Sequence, residues 1–365
     1  MATAGGNPSS SSSSGMLDAQ TKAKLAPLVA GIAGGVVSTT LLLPLDVIKV
    51  RLQVSEQPHH NRRGGDEHLG KKSPSNNAAA AATTTAPKRQ RLGAFRVFRS
   101  IIRHEGMAGL YQGLTPAVVG SAVSWGGYFF LYEGAKNSLK ESRKARGLSS
   151  ELHSSDNFAI AIGSGACMVF LTNPVWLIKT RMQLQMKKTS DAFEIKKPYS
   201  GMFDAAKTIV REEGFWALYK GTVPALMLTS HGGVQFVAYE FLKKHFHYAR
   251  PKRDESKSVV ERLELSLGFL TMGAVSKIIA STVTYPIQVL KARLQQRADS
   301  LEITPEGDVR AVRREYHGVL KSVRRMWKKE GIAGFFRGCI PNAIRVAPGS
   351  AITFLVYESV MDALK

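Results

Sequence analysis

Residues 173–185 read NPVWLIKTRMQLQ, an apolar run broken by a proline and closed by basic and amide residues. Two further stretches share the plan: LPLDVIKVRLQ at 43–53 and YPIQVLKARLQ at 285–295. Each has a proline, then Lys five places on, Arg seven on and Gln nine on. Two places after the proline the copies differ, carrying Asp46, Trp176 and Gln288. A motif written three times in one chain marks a repeat architecture, in which stacked units complete a common core.

The repeat extends beyond the motif. The dipeptide Glu-Gly recurs in RHEGMAGLYQG, REEGFWALYKG and KKEGIAGFFRG, with glycines at 106, 214 and 331. Ten residues after each lies a proline (Pro116, Pro224, Pro341), and thirteen before each lies a glycine (Gly93, Gly201, Gly318). A Tyr-Glu pair follows 25 or 26 residues on, at Tyr132, Tyr239 and Tyr357. The units are therefore 23–140, 152–246 and 262–364. Each reads as helix, loop with a short helix, then helix. From proline to Glu-Gly glycine the first unit spans 62 residues, against 40 and 45 in the others. The surplus falls in a low-complexity insertion at about 54–91.

The chain has 365 residues and a net charge of +22. A basic protein binds nucleic acid or carries basic loops beside membrane spans. The apolar runs select the membrane. Stretches 25–45, 107–132, 157–178 and 221–239 contain no Asp, Glu, Lys or Arg. Two more, 265–290 and 338–357, contain one each, Lys277 and Arg345. A helix needs about 20 apolar residues to cross a bilayer, so six spans are predicted. The mean hydropathy of −0.10 averages these spans with very basic connections. The reading is an all-α membrane protein, with six transmembrane helices in three pseudo-symmetric repeats and short amphipathic surface helices. The surface helices are predicted near 94–105, 202–213 and 319–330. Phe95, Phe98 and Ile102 form an apolar stripe on the first. The glycine of Glu-Gly supplies a left-handed stop.

Residues 1–22, rich in Ser and Gly, read as a disordered tail without a secretory or transit signature. Cys167 and Cys339 frame no disulfide scaffold. No metal set, Walker loop, dinucleotide fingerprint or nucleophile–base pair is visible, so no catalytic residue, metal or cofactor is assigned and no nucleic-acid partner is expected.

Pro44, Pro174 and Pro286 bend their helices at equivalent places, which brings three helices towards an axis. Intramembrane charges need partners. A ring in which the variable residue of one helix meets the lysine of the next supplies them: Asp46, Trp176 and Gln288 with Lys49, Lys179 and Lys291. Only one of its members is acidic. Arg51, Arg181 and Arg293 are expected further out, snorkelling towards phosphate groups. The even helices write a second ring: Glu133 with Lys136, Glu240 with Lys243, and Glu358, whose base is replaced by Met361. Two rings at opposite ends suit two alternating gates. Between them lie Lys277, Arg345 and His231. The two cations point to an anionic ligand or to structural pairing.

These features resemble the mitochondrial carrier family, whose signature is Pro-x-[Asp/Glu]-x-x-[Lys/Arg] in each of three repeats. The resemblance covers about residues 23–364. It implies a six-helix bundle that functions as a monomer in the mitochondrial inner membrane or, alternatively, a plastid envelope. It identifies the proline-motif ring as the matrix gate and the Tyr-Glu-Lys ring as the cytoplasmic gate. Gln53, Gln183 and Gln295 match glutamine braces of the first, and Tyr132, Tyr239 and Tyr357 match tyrosine braces of the second. Trp176 is similar to the branch carrying nucleotide-like and pteridine-like cargo. VSWGGYFFLYE (123–133) and TSHGGVQFVAYE (229–240) look like the folate and FAD carriers, through His231, Gly232, Gln235 and Phe236. The implied function is transport of FAD or folate, as cargo and not as cofactor, with an NAD or pyrimidine nucleotide carrier as the alternative. Trp125 is placed to stack on a flat ring. Equivalence of contact positions adds Gly120, Met227 and Leu228 to the cavity lining. Trp176 either packs the closed gate or touches departing cargo.

Overall fold

The computed structural model describes residues 11–56, 93–147, 149, 151–186, 197–246, 259–297, 299–303, 309–313, 316 and 318–363. The insertion reading at about 54–91 lies almost wholly outside them.

In the first repeat, helix α1 (Ser11–Val54) leads to the surface helix α2 (Ala94–Glu105) and then α3 (Leu114–Ala145). The second has α4 (Ser154–Leu184), α5 (Met202–Glu213), α6 (Thr222–Met227) and α7 (His231–His245). The third has α8 (Val259–Val283), α9 (Tyr285–Gln295), α10 (Val319–Phe335) and α11 (Cys339–Ala363). Helix α1 begins within the stretch that composition reads as a tail. From Met16 to Leu25 the chain is mostly Met, Leu, Ala, Gln and Lys, all good helix formers.

Among the described residues, four helices are long and apolar enough to cross a membrane: Val29–Val54, Met107–Ala145, Ser155–Leu184 and Cys339–Ala363. The other two spans are divided. Pro44 and Pro174 sit inside unbroken helices, whereas the chain breaks at Thr284 and restarts with Pro286 in the first turn of α9. The fourth span breaks at a 3₁₀ turn, Leu228–Ser230. There the Thr229 and Ser230 hydroxyls donate to the carbonyls of Leu226 and Met227 at 2.7 Å each. Such back-bonding satisfies carbonyls that a broken helix leaves open.

A short antiparallel hairpin, β1 (Asp299–Ile303) with β2 (Val309–Arg313), adds to the helical plan between α9 and α10. Asp299 pairs in register with Arg313, and Glu302 with Arg310. Opposite charges across a ladder favour this register.

The spans form a closed ring in chain order, with α11 returning to α1. That closure is tight. A Cβ on Gly34 would lie 2.9 Å from the Thr353 carbonyl oxygen, and one on Gly349 would lie 2.9 Å from Leu42. Small residues let membrane helices approach this closely.

Each repeat has its own buried cluster, all at the proline-motif end. Leu43, Val47, Ile48 and Leu52 pack with Val97 and Ile101 of α2. Leu177 and Ile178 pack with Ala205 and Ile209 of α5. Tyr285, Val289 and Leu290 pack with Met326 of α10. The surface helices thus turn one apolar face inward. A second faces out, through Phe95, Phe98, Phe203, Leu320 and Trp327. Exposed Phe130, Phe158, Phe236, Phe241 and Leu355 on the spans present apolar surface that lipid would cover.

Candidate functional site

The proline-motif ring is joined. Lys179 Nζ donates to Asp46 Oδ2 at 2.6 Å, linking the second repeat to the first. Lys49 Nζ donates to Gln288 Oε1 at 3.0 Å, linking the first to the third. The third link is missing its acid: Trp176 stands there, and its indole lies 5.1 Å beneath its own helix's Lys179. Among the described residues, Lys291 has neither an ion-pair nor a hydrogen-bond partner. Gln183 Nε2 also donates to Asp46 Oδ2, at 3.1 Å. Gln295 accepts from Thr180 at 3.1 Å, which joins α9 to α4 without touching the ring. Gln53 is buried beside Tyr285.

The three arginines overturn the expectation that they snorkel outward. Arg51, Arg181 and Arg293 are buried. Each forms a bidentate pair with the glutamate of Glu-Gly in its own repeat: Glu105, Glu213 and Glu330. Each also donates from Nε to a backbone carbonyl of the neighbouring repeat. Arg51 reaches Gln183 at 3.1 Å, Arg181 reaches Gln295 at 3.1 Å, and Arg293 reaches Gln53 at 2.9 Å. The guanidinium fork satisfies a carboxylate and a carbonyl together, which a lysine could not do. The result is a threefold interlock beneath the ring. Its glutamates escaped sequence reasoning, which took Glu-Gly only as a helix stop. The threefold recurrence of an acid was the available signal.

The Glu-Gly glycines do take positive φ (71°, 83° and 62°), but their ψ values of −171°, 166° and −159° lie far from the left-handed helical region. That combination is essentially restricted to glycine. The left-handed helical conformation appears instead at Gly113 and Gly221, which open α3 and α6.

Of the proposed ligand residues, His231, Lys277 and Arg345 lie on α7, α8 and α11. Arg345 Nε lies 3.9 Å from Asp46 Oδ1, so it belongs to the ring's charge cluster. That Nε is buried without a hydrogen bond, while the side chain as a whole is half-buried. Lys277 Nζ donates to Ser350 Oγ at 3.2 Å, and His231 Nδ1 lies 3.0 Å from Thr284 Oγ1. Met227 is exposed and Leu228 half-buried, at the break before α7. Gly120 is buried, and a Cβ there would lie 3.3 Å from Val175 and 3.5 Å from the Trp176 ring. Its smallness lets α3 close on α4 and leaves room for the indole. Trp125 lies on α3, and its side chain is outside the described structure. Separately, a largely apolar cavity of about 1190 Å³ opens between α4 and α7, bordered by Phe158, Ile162, Gly165, Gly233 and Val237.

The second ring is apart. Glu133 pairs with Lys136 at 3.9 Å and Glu240 with Lys243 at 3.8 Å, each within one helix. Among the described residues, neither these four nor Glu358 makes an ion pair with another helix. Tyr132 stacks on Tyr128 and lies 5.7 Å from Lys136 Nζ, again within α3. No contact joins Tyr239 or Tyr357 to this ring among the described residues. The bundle is thus closed at the proline-motif end and unlatched at the other.

A family model described as mitochondrial carrier protein matches residues 20–143, 150–250 and 266–365. The chain is 44% identical over 266 residues to folate transporter 1, chloroplastic, of Arabidopsis thaliana, covering 73% of this chain and 80% of that one. It is 33% identical over 339 residues to the nicotinamide adenine dinucleotide transporter 1, chloroplastic, of the same plant, covering 91% and 89%. It is 28% identical over 367 residues to the mitochondrial FAD carrier protein FLX1 of Saccharomyces cerevisiae, covering 96% and 100%. Three matched repeats, a closed ring of spans and relatives matched over most of their length agree: the chain belongs to the mitochondrial carrier family.

Proposed function

We propose that this multi-pass carrier moves FAD or a folate across an organelle membrane, mitochondrial or plastid, by alternately opening its two rings. The observation that carries this reading is the charge of the closed ring. Lys179, Arg345 and Lys49 converge on a single carboxylate, Asp46, and Lys291 lies within electrostatic reach of Lys179 and Lys49. Cations held within a membrane span and short of counter-charge favour an anionic ligand. FAD and folates combine such charge with a flat ring system, for which Trp176 provides an aromatic face. The similarity to a folate transporter and an FAD carrier supports the same choice. A single chain holds both rings, so the monomer is the working unit, and it needs no cofactor.

The Tyr-Glu-Lys end is the cytoplasmic gate in this reading, and the state described is open to that side. Cargo descends to Lys277 and Arg345. Arg345 then exchanges its long contact with Asp46 for the cargo's anion. A ligand shifts such an equilibrium only by binding one state better, and this exchange weakens the closed ring selectively.

The NAD carrier is the second reading, favoured by the similarity over 91% of the chain. Uptake of labelled FAD, folate, NAD and pyrimidine nucleotides into proteoliposomes separates the two. FAD or folate uptake is expected, reduced at least tenfold in Arg345→Ala. Uptake of NAD alone would replace the first reading with the second.

A further inference from the structure

The closed ring lacks two of the three acids that its geometry accommodates. Asp46 serves Lys179, and a neutral amide, Gln288, serves Lys49. Lys291, half-buried on α9, has no hydrogen-bond or ion-pair partner among the described residues. It is within electrostatic reach of Lys179 and Lys49. Arg345 Nε is buried without a hydrogen bond, and its nearest carboxylate oxygen is 3.9 Å away. Where the third acid would stand, Trp176 packs against Gly120 of α3 and lies 5.1 Å beneath Lys179 Nζ. Unpaired cations in a membrane span are unfavourable, and the side chains present do not balance them.

We propose that the closed ring is itself an anion site, centred on Lys291 and bordered by Lys179 and Trp176. It takes a doubly negative group of the cargo, a diphosphate or a dicarboxylate. The cargo's own anion stands in for the missing acids. Its arrival completes the ring, and its movement past Trp176 removes the third link and lets the ring open. Lys291 thereby selects cargo that carries such a dianion. The inference rests on the reading of the protein as a carrier of an anionic cofactor. It goes beyond that reading by giving the gate a direct part in binding.

The test is a thermal-shift measurement on the purified full chain in detergent. Sodium pyrophosphate, glutarate and sodium chloride are compared at matched ionic strength, so that general screening is constant. A ligand that binds only the folded state raises its melting temperature. A rise of roughly 2–4 °C is expected with pyrophosphate, glutarate or both, relative to chloride. Lys291→Gln should at least halve that rise, while Lys321→Gln, exposed on surface helix α10, should leave it intact. Trp176→Glu supplies the missing acid. It should raise the anion-free melting temperature and abolish the anion's effect. If Lys291→Gln does not fold, Trp176→Glu decides alone. An anion effect undiminished in these variants, or no greater than that of chloride, would overturn the proposal. Pyrophosphate and glutarate are not the transported molecules, so the two readings fail separately. A Lys291-dependent shift without FAD or folate uptake would keep the anion site and remove the cargo assignment.

Discussion

Asp46 is the residue on which the bonded ring converges. It accepts from Lys179 and Gln183 and faces Arg345, so three groups from α4 and α11 converge on one carboxylate of α1. Removing it leaves four cations and no acid. Asp46→Asn is therefore expected to destabilise this state by about 3–5 kcal/mol, the usual cost of stranding a buried charge. The detergent melting temperature should fall, and uptake by the remaining folded protein should become faster or leaky. An unchanged melting temperature and an unchanged rate would contradict this role. Gly120 and Trp176 make the complementary point about size. The indole enters the ring because the neighbouring helix carries no side chain opposite it.

At the scale of elements, the surface helices are bolts. Each carries, just before its Glu-Gly glycine, a glutamate that locks the arginine of its own odd helix, and that arginine grips the next repeat's backbone. The three bolts differ in exposure. Arg293 and Glu330 are essentially inaccessible, whereas the Glu213 side chain is 21% exposed and also bonds Lys220. Glu330→Gln should therefore lower the melting temperature more than Glu213→Gln. Burial alone would push the Glu213 carboxyl up, but Arg181's hydrogen bonds and charge, then those of Lys220, bring it down to about 2 from 4.5. A carboxyl held low binds fewer protons folded than unfolded. Its stabilisation is therefore complete above about pH 4.5 and is lost as pH falls from there through about 2. Melting curves of the wild type and Glu213→Gln between pH 7 and pH 3 should converge at the acidic end. Curves that stay parallel would show that the pair contributes nothing.

For the whole molecule, the asymmetry between its ends defines the state. One ring is bonded across helices and the other only within them. Met361 leaves the second ring one base short. Met361→Lys should let Glu133, Glu240 and Glu358 all find bases when that end closes. This favours the state open at the proline-motif end and slows turnover severalfold. Proteoliposome uptake checks the rate, and labelling of a cysteine introduced at Asn137, exposed one turn from Glu133, checks closure. Equal rates and equal labelling in both proteins would show that the ring does not latch.

Much of this was legible in the chain itself. The threefold motif, the six apolar runs and the membership of both rings follow from spacing and from where charge is absent, both local properties. The outward course of Arg51, Arg181 and Arg293 did not survive. It depends on what a neighbouring helix presents, and helical periodicity carries no information about that. The breaks at Leu228–Ser230 and Thr284 were hidden for a related reason: three like prolines sit in three different packing environments. The sequence by itself determined which residues form the rings, because an uncharged span makes every remaining polar group conspicuous. Only the tertiary structure decided how they pair, which end is latched and that Lys291 is left over, because those outcomes depend on how three separate repeats meet around one axis.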